Sequence, residues 1–153
     1  MLKGLHYSNP SKWRIASLRY FNPVGAHESG LIGEDPSGEA NNLYPQITKV
    51  AIGKLDEIKI FGSDWPTKDG TGIRDYIHVM DLAEGHVLAL NYLLREKAQI
   101  ITINLGTGKG TSVLELINVF KKVNNVDIPI AFAERRKGDF ASVIADNTKA
   151  KNI

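Results

Sequence analysis

Apolar residues along the chain fall into short unbroken runs that alternate with stripes at helical spacing. Ile15 to Phe21 is apolar and aromatic around a single Arg19, the pattern of a buried strand, and Pro23 and Gly25 end it. Gly30 to Ala40 mixes glycines, a proline and acidic residues and reads as a surface loop. A helix is expected over Tyr44 to Leu55, capped by Asn41 or Asn42, with Pro45 in the first turn, where a missing N–H costs least. Ile58 to Phe61 is a short strand, Ser63 to Gly72 a polar loop holding Trp65 and Pro66, and Ile73 to Val79 a second extended stretch. Asp81 is placed to begin a helix reaching about Leu94, with Glu84 three residues on in the manner of a capping box. Ile100 to Leu105 is a strand running into a glycine cluster, and Ser112 with Glu115 forms the next capping box. Val113, Leu116, Ile117, Phe120 and Val123 then share one stripe of a helix, and Ile128 to Phe132 is a further strand. Strands alternating with helices predict an α/β domain with a mainly parallel sheet. Lys149 to Ile153 begins another polar, helix-compatible segment.

Composition narrows this picture mostly by exclusion. The chain has 153 residues, the size of one ordinary domain, and its 42% hydrophobic and 24% charged content is that of a globular protein. A net charge of +2 is too small to argue for a nucleic-acid or membrane-surface partner. The absence of cysteine removes disulfides, thiolate metal sites and thiol catalysis together. No apolar run reaches the roughly 18 residues of a membrane helix, and the N-terminus has no signal-peptide core, so a soluble, cytoplasmic protein is expected. No period of roughly 20 to 50 residues repeats.

Candidate chemistry is sparse. Gly106-Thr107-Gly108-Lys109-Gly110 follows a strand and opens a helix, a place where backbone N–H groups favour phosphate, but its spacing fits neither a dinucleotide fingerprint nor a P-loop. A tight strand-to-helix turn is the better reading. The four histidines, His6, His27, His78 and His86, lack metal-ligand spacing, so no metal is expected, and His78 and His86 read as satisfied structural residues. Arg74 before Asp75, and the pair Arg135-Arg136 before Gly138 and Asp139, are more suggestive. A guanidinium grips a diphosphate through two parallel charge-assisted hydrogen bonds, and a nearby aspartate can accept from a ribose hydroxyl. Taken alone, the same residues also fit ordinary surface salt bridges.

The stretch Leu18-Arg-Tyr-Phe-Asn-Pro-Val-Gly-Ala-His27 resembles the C-terminal half of the UDP-glucose 4-epimerases, of the extended short-chain dehydrogenase/reductase superfamily. The similarity continues in order through Gly33 to Pro36, Asn41 to Leu43, Ile60 to Gly62, Asp69 to Gly72, Arg74 to Val79, Asp81 to Ala83, Asn104 to Gly106, and Arg135-Arg136 with Gly138-Asp139. The resemblance implies a single unit over 1–153 that joins the C-terminal part of a Rossmann-type parallel sheet to the small α/β domain that binds a UDP-sugar. It implies that Tyr20 and Phe21 pass the nicotinamide end of NAD and that Asn22 hydrogen-bonds the sugar nucleotide. Asn42 and Leu43 would meet the diphosphate at a helix start. Lys59 to Phe61 would line the uracil, with Lys59 larger than usual there and tolerated if the contacts are to backbone. Arg74 and Arg136 would hold the diphosphate, and Asp139 the ribose. Val143 stands where narrow family members carry a bulky tyrosine, so UDP-N-acetylglucosamine joins UDP-glucose and UDP-galactose among the expected substrates.

The family is an NAD-dependent isomerase of galactose metabolism whose base is a tyrosine in a Tyr-x-x-x-Lys motif, its pKa lowered by the lysine and the cofactor. None of Tyr7, Tyr20, Tyr44, Tyr76 and Tyr92 has a lysine four residues later, and no G-x-x-G-x-x-G stands near the start. The expectation is therefore a chain without the NAD-binding half or a catalytic residue of its own, inactive alone and unable to hold NAD alone. Strands 15–21 and 100–105 would keep open edges, so self-association into a homo-oligomer is expected, and a self-associating structural module is the alternative function.

Overall fold

A computed structural model describes residues 1–34, 36–38 and 42–153. Asp35, Glu39, Ala40 and Asn41, which belong to the expected loop and helix cap, lie outside the described residues. The order of elements is α1 (Leu2–Ser8), β1 (Arg14–Tyr20), β2 (Asn22–Val24), α2 (Leu43–Ala51), β3 (Ile58–Phe61), β4 (Ile73–Arg74), β5 (Tyr76–His78), α3 (Val79–Arg95), β6 (Gln99–Leu105), β7 (Thr111–Ser112), α4 (Val113–Asn124), β8 (Ile130–Ala133), β9 (Ser142–Val143) and α5 (Thr148–Lys151). The fold is α/β, and β1–β6, β2–β5, β3–β8 and β4–β9 all pair in parallel; β4–β7 is antiparallel. These strands form four short sheets instead of one continuous sheet.

Two packing centres result. In the first, α2 and α4 pack together on the buried face of β3 and β8, the Tyr44 and Phe120 rings meeting edge to face at 5.8 Å. Ile47 and Val50 of α2, Ile58 and Ile60 of β3, Ile117 of α4 and Ile128 form its buried cluster, with Phe120 and Leu116 packed against it. α4 is placed by the expected capping box: Ser112 Oγ accepts from Glu115 N at 3.0 Å, and the Glu115 carboxylate reaches back to the Ser112 N–H. Asn125, in the left-handed region at φ 52°, ends that helix. In the second centre, β1 and β6 run in parallel register from Arg14–Gln99 to Tyr20–Leu105, with α3 across β1. Ile101, Ile103, Ile77, Leu82 and Ala89 are buried there. Each of β1 and β6 has one strand partner among the described residues.

Several boundaries differ from the sequence reading: α2 ends at Ala51, not Leu55, β8 covers Ile130–Ala133, not Ile128–Phe132, and Pro23 lies inside β2. Two further differences have a visible cause. The extended stretch at 73–79 is broken at Asp75, because its side chain turns inward and β4 and β5 pair with different strands. α3 starts at Val79, not Asp81: His78 is its N-cap, with Nδ1 accepting from Met80 N at 3.2 Å, so the Asp81–Glu84 capping box does not form. His78 also explains Gly25, held at φ +85°, where a Cβ would sit 2.4 Å from His78 Nε2. His86 is satisfied within α3, its Nδ1–H donating to the Leu82 carbonyl at 2.8 Å. No helix among the described residues is long and apolar enough to cross a membrane.

Candidate functional site

A cleft of about 650 Å³ opens between the two packing centres. Its floor is β3, with Lys59, Ile60 and Phe61. The start of α2 supplies Asn42 and Leu43 on one side, and β2 supplies Asn22. β4 and β5 supply Arg74 and Tyr76, and the segment after β8 closes the far wall with Arg136 and Asp139. These elements come together because β3–β8 carries Phe61 and Arg136 from one centre, while the Asn22–Tyr76 register pair carries the other. Asn22 N also donates to the Asp75 carbonyl at 3.0 Å, tying β2 to the break between β4 and β5.

Each arginine is held differently. Arg74 Nη1 donates to the carbonyls of Ile73 (2.8 Å) and Phe140 (2.9 Å), and Nη2 to Asp139 Oδ1 at 3.2 Å, so the guanidinium is fixed before any ligand arrives. Gly72 fits beneath it; a Cβ there would stand 3.2 Å from Nη1. The Arg136 guanidinium carbon sits over the Phe61 ring, 3.8 Å from its centroid, and the side chain makes no ion pair among the described residues. Its neighbour Arg135 points elsewhere, stacking 4.0 Å above Trp65 and donating to Asp64 Oδ1 and the Asp64 carbonyl, each at 2.7 Å. Arg135 thus realises the salt-bridge reading, and the Arg135 hydrogen bond holds the Asp64 carboxyl below its ordinary range. Helix α2 starts after Asn42, whose side chain makes no cap hydrogen bond to it, and the positive end of the helix dipole stands at the cleft mouth.

Behind this wall, the Asp75 carboxylate is fully buried and accepts four hydrogen bonds. Thr107 N (2.9 Å) and Thr107 Oγ1 (2.7 Å) donate to Oδ1; Gly108 N (2.9 Å) and Ala145 N (3.2 Å) donate to Oδ2. Burial pushes its pKa up, but the donors from Thr107, Gly108 and Ala145 outweigh it and leave the carboxyl below its ordinary value. The glycine-rich turn is therefore the tight turn expected, and the anion on its amides is the protein's own Asp75. A Cβ on Gly106 would come 2.6 Å from Ala145 Cβ and 2.8 Å from Asp75 Oδ2. Nearby, Asp69 accepts from Thr71 N (2.9 Å), Thr71 Oγ1 (2.7 Å) and Ser112 Oγ, which joins the loop before β4 to the cap of α4.

The structure brings Asn22, Asn42, Leu43, Lys59, Phe61, Arg74, Arg136 and Asp139 to one cleft. Val143 lies beside it as the register partner of Arg74, without lining it. Tyr20, at the exposed end of β1 with its ring 6.0 Å from that of His86, and Phe21, whose N–H donates to Leu105, stand outside the cleft. The sequence reading did not single out Tyr76 and Trp65, which also line it. Tyr76 had a signal: it stands two residues after Arg74 in an extended stretch, on the same face. Its burial raises the phenol pKa to about 12, against the opposing charge of Arg74.

The model of the NAD dependent epimerase/dehydratase family matches residues 4–106. The UDP-glucose 4-epimerase of Bacillus subtilis is 55% identical over 151 residues, which cover 99% of this chain and 44% of that protein. Among solved structures, the Bifidobacterium longum UDP-glucose 4-epimerase in complex with NAD+ and UDP superposes with a TM-score of 0.92 at 52% identity, over 99% of this chain and 44% of that one. The Stenotrophomonas maltophila enzyme with NAD and formylated UDP-arabinopyranose gives the same TM-score, identity and coverage. The chain thus spans less than half the length of the relatives it matches.

Proposed function

The chain belongs to the NAD dependent epimerase/dehydratase family, and from that premise we propose that its cleft is the UDP-sugar-binding part of a UDP-glucose 4-epimerase. The observation that carries this reading is the convergence of Arg74 and Arg136 on one cleft with the N-terminal end of α2. Three independent sources of positive potential then face a common space, as a diphosphate needs. Phe61 and the β3 backbone offer a flat apolar floor for a base, and Asp139 an acceptor for ribose hydroxyls. The cleft takes UDP-glucose and UDP-galactose; the small Val143 beside Arg74 extends this to UDP-N-acetylglucosamine.

This chain's residues do not fit NAD on their own. The glycine-rich turn after β6 spends the Thr107 and Gly108 amides on Asp75, which leaves Tyr20 and Phe21 to offer a ring and a backbone edge at the nicotinamide end. NAD supplies the hydride acceptor in the family. This chain contributes the grip on the nucleotide, and by itself it binds UDP without epimerising. Calorimetric titration with UDP tests the reading. Arg136→Ala or Arg74→Ala should each weaken binding about tenfold or more, the scale of one charge-assisted hydrogen bond. Wild-type protein that takes up no UDP, or two variants that bind as well as it does, would refute it.

A second reading, a self-associating interaction module, is favoured by one observation. α3 exposes Val87, Leu88, Leu90 and Leu94, with Leu88 59% and Leu94 67% exposed. A clean monomer at tens of micromolar in sedimentation removes this second reading, and the Arg74 and Arg136 variants separate the two, because only the first predicts a loss of UDP binding.

A further inference from the structure

The geometry points to Tyr76 as a further ligand-positioning residue, a hydrogen-bond donor to the same phosphate that Arg74 holds. This rests on the UDP reading of the cleft. Arg74 and Tyr76 flank Asp75, whose side chain is turned into the protein, so the two share the opposite, cleft-lining face. Tyr76 is also the register partner of Asn22, another cleft residue. The Tyr76 hydroxyl has no hydrogen-bond partner among the described residues. No fully buried side-chain polar atom among them is left unpaired, so that hydroxyl is open to solvent, and the cleft is the opening Tyr76 borders. A half-buried phenol with a free hydroxyl beside a fixed guanidinium is poised to donate to an oxyanion that the guanidinium has drawn in. Burial holds the phenol protonated up to about pH 12, so it serves as a donor and not as a base across the working range.

The test compares wild type, Tyr76→Phe and Arg136→Ala by UDP calorimetry, with the 31P spectrum of UDP at saturation as a second readout. Tyr76→Phe removes only the hydroxyl and should leave the melting temperature within about 2 °C, since that hydroxyl has no partner in the fold. It should weaken UDP binding about 5- to 15-fold and shift one of the two phosphorus resonances. The inference is overturned if Tyr76→Phe binds UDP within twofold of wild type. It is equally overturned if affinity falls while both phosphorus resonances stay in place, because the hydroxyl then acts away from the phosphate. Arg136→Ala keeps the two failures distinct: when that variant loses UDP and Tyr76→Phe does not, the cleft reading stands and this inference alone falls. A wild type that binds no UDP brings down both.

Discussion

Replacing Asp75 with asparagine removes one oxygen's charge and changes almost no volume, so its effect isolates the hydrogen bonds that join β4–β5 to the glycine-rich turn and β9. Each carboxylate oxygen receives two donors. Whichever way the amide is placed, its NH2 faces two of them. On the Oδ2 side these are the amides of Gly108 and Ala145, neither of which can accept. On the Oδ1 side the Thr107 hydroxyl can rotate to accept, but the Thr107 amide cannot. At least one buried backbone N–H is therefore left facing a donor, at about 1–3 kcal/mol, and the remaining bonds lose their charge assistance. The sum is a loss of about 3–5 kcal/mol, a fall in melting temperature of roughly 6 to 20 °C for a chain of this length. The pH dependence carries its own sign. The folded-state pKa of Asp75 lies below its unfolded value of about 3.9, so its contribution is complete above that pH and fades as pH falls through the folded value. A protonated carboxyl turns an O–H toward the same donors and behaves like the amide. Urea unfolding at pH 7 and pH 3 should therefore show a wide gap between wild type and Asp75→Asn that narrows in acid. A gap under about 1 kcal/mol at pH 7, or one unchanged at pH 3, would show that these hydrogen bonds contribute little.

Gly106→Ala places a Cβ against Ala145 and the Asp75 carboxylate and should destabilise by about 1–3 kcal/mol in a urea titration; an unchanged midpoint would contradict the close packing. Combined with Asp75→Asn it should be non-additive, because the two sites touch. Ser112→Ala removes the N-cap of α4 and a donor to Asp69, and should cost about 1–2 kcal/mol. Thermal unfolding by circular dichroism reports it, and a loss below a few tenths of a kcal/mol would mean the helix start is held by Glu115 and packing instead.

What the sequence made legible follows the range of the interactions involved. β3 at Ile58–Phe61 and the Ser112–Glu115 box appear where local pattern puts them, since both depend on residues within one turn or one strand. The start of α3 was displaced by a histidine cap, for which Asp81 and Glu84 offered a competing local signal. The break at Asp75 was invisible because its cause lies in amides at 107, 108 and 145. The cleft was legible in part through resemblance, which named Arg74, Arg136 and Asp139. The placement of Arg136 on Phe61 is a long-range contact with no local signature.

The two cleft arginines differ in what a ligand would offer them. Arg74 already donates to two carbonyls and to Asp139, so its charge is partly answered and its geometry fixed; an arriving anion meets a prepared fork but must share it. Arg136 rests on an aromatic face, which restrains its plane and strips water from one side without neutralising it. It therefore keeps most of its hydrogen-bonding capacity for something outside the fold. Arg135, one residue earlier, spends the same chemistry on Asp64 and Trp65. Consecutive residues leaving a strand point to opposite sides, so one arginine of the pair is committed to the protein and the other to the cleft. The glycine-rich turn follows the same logic in reverse: its amides could have received a foreign phosphate, and Asp75 occupies them. Unanswered positive potential is thereby removed from the turn and retained between β3 and β4.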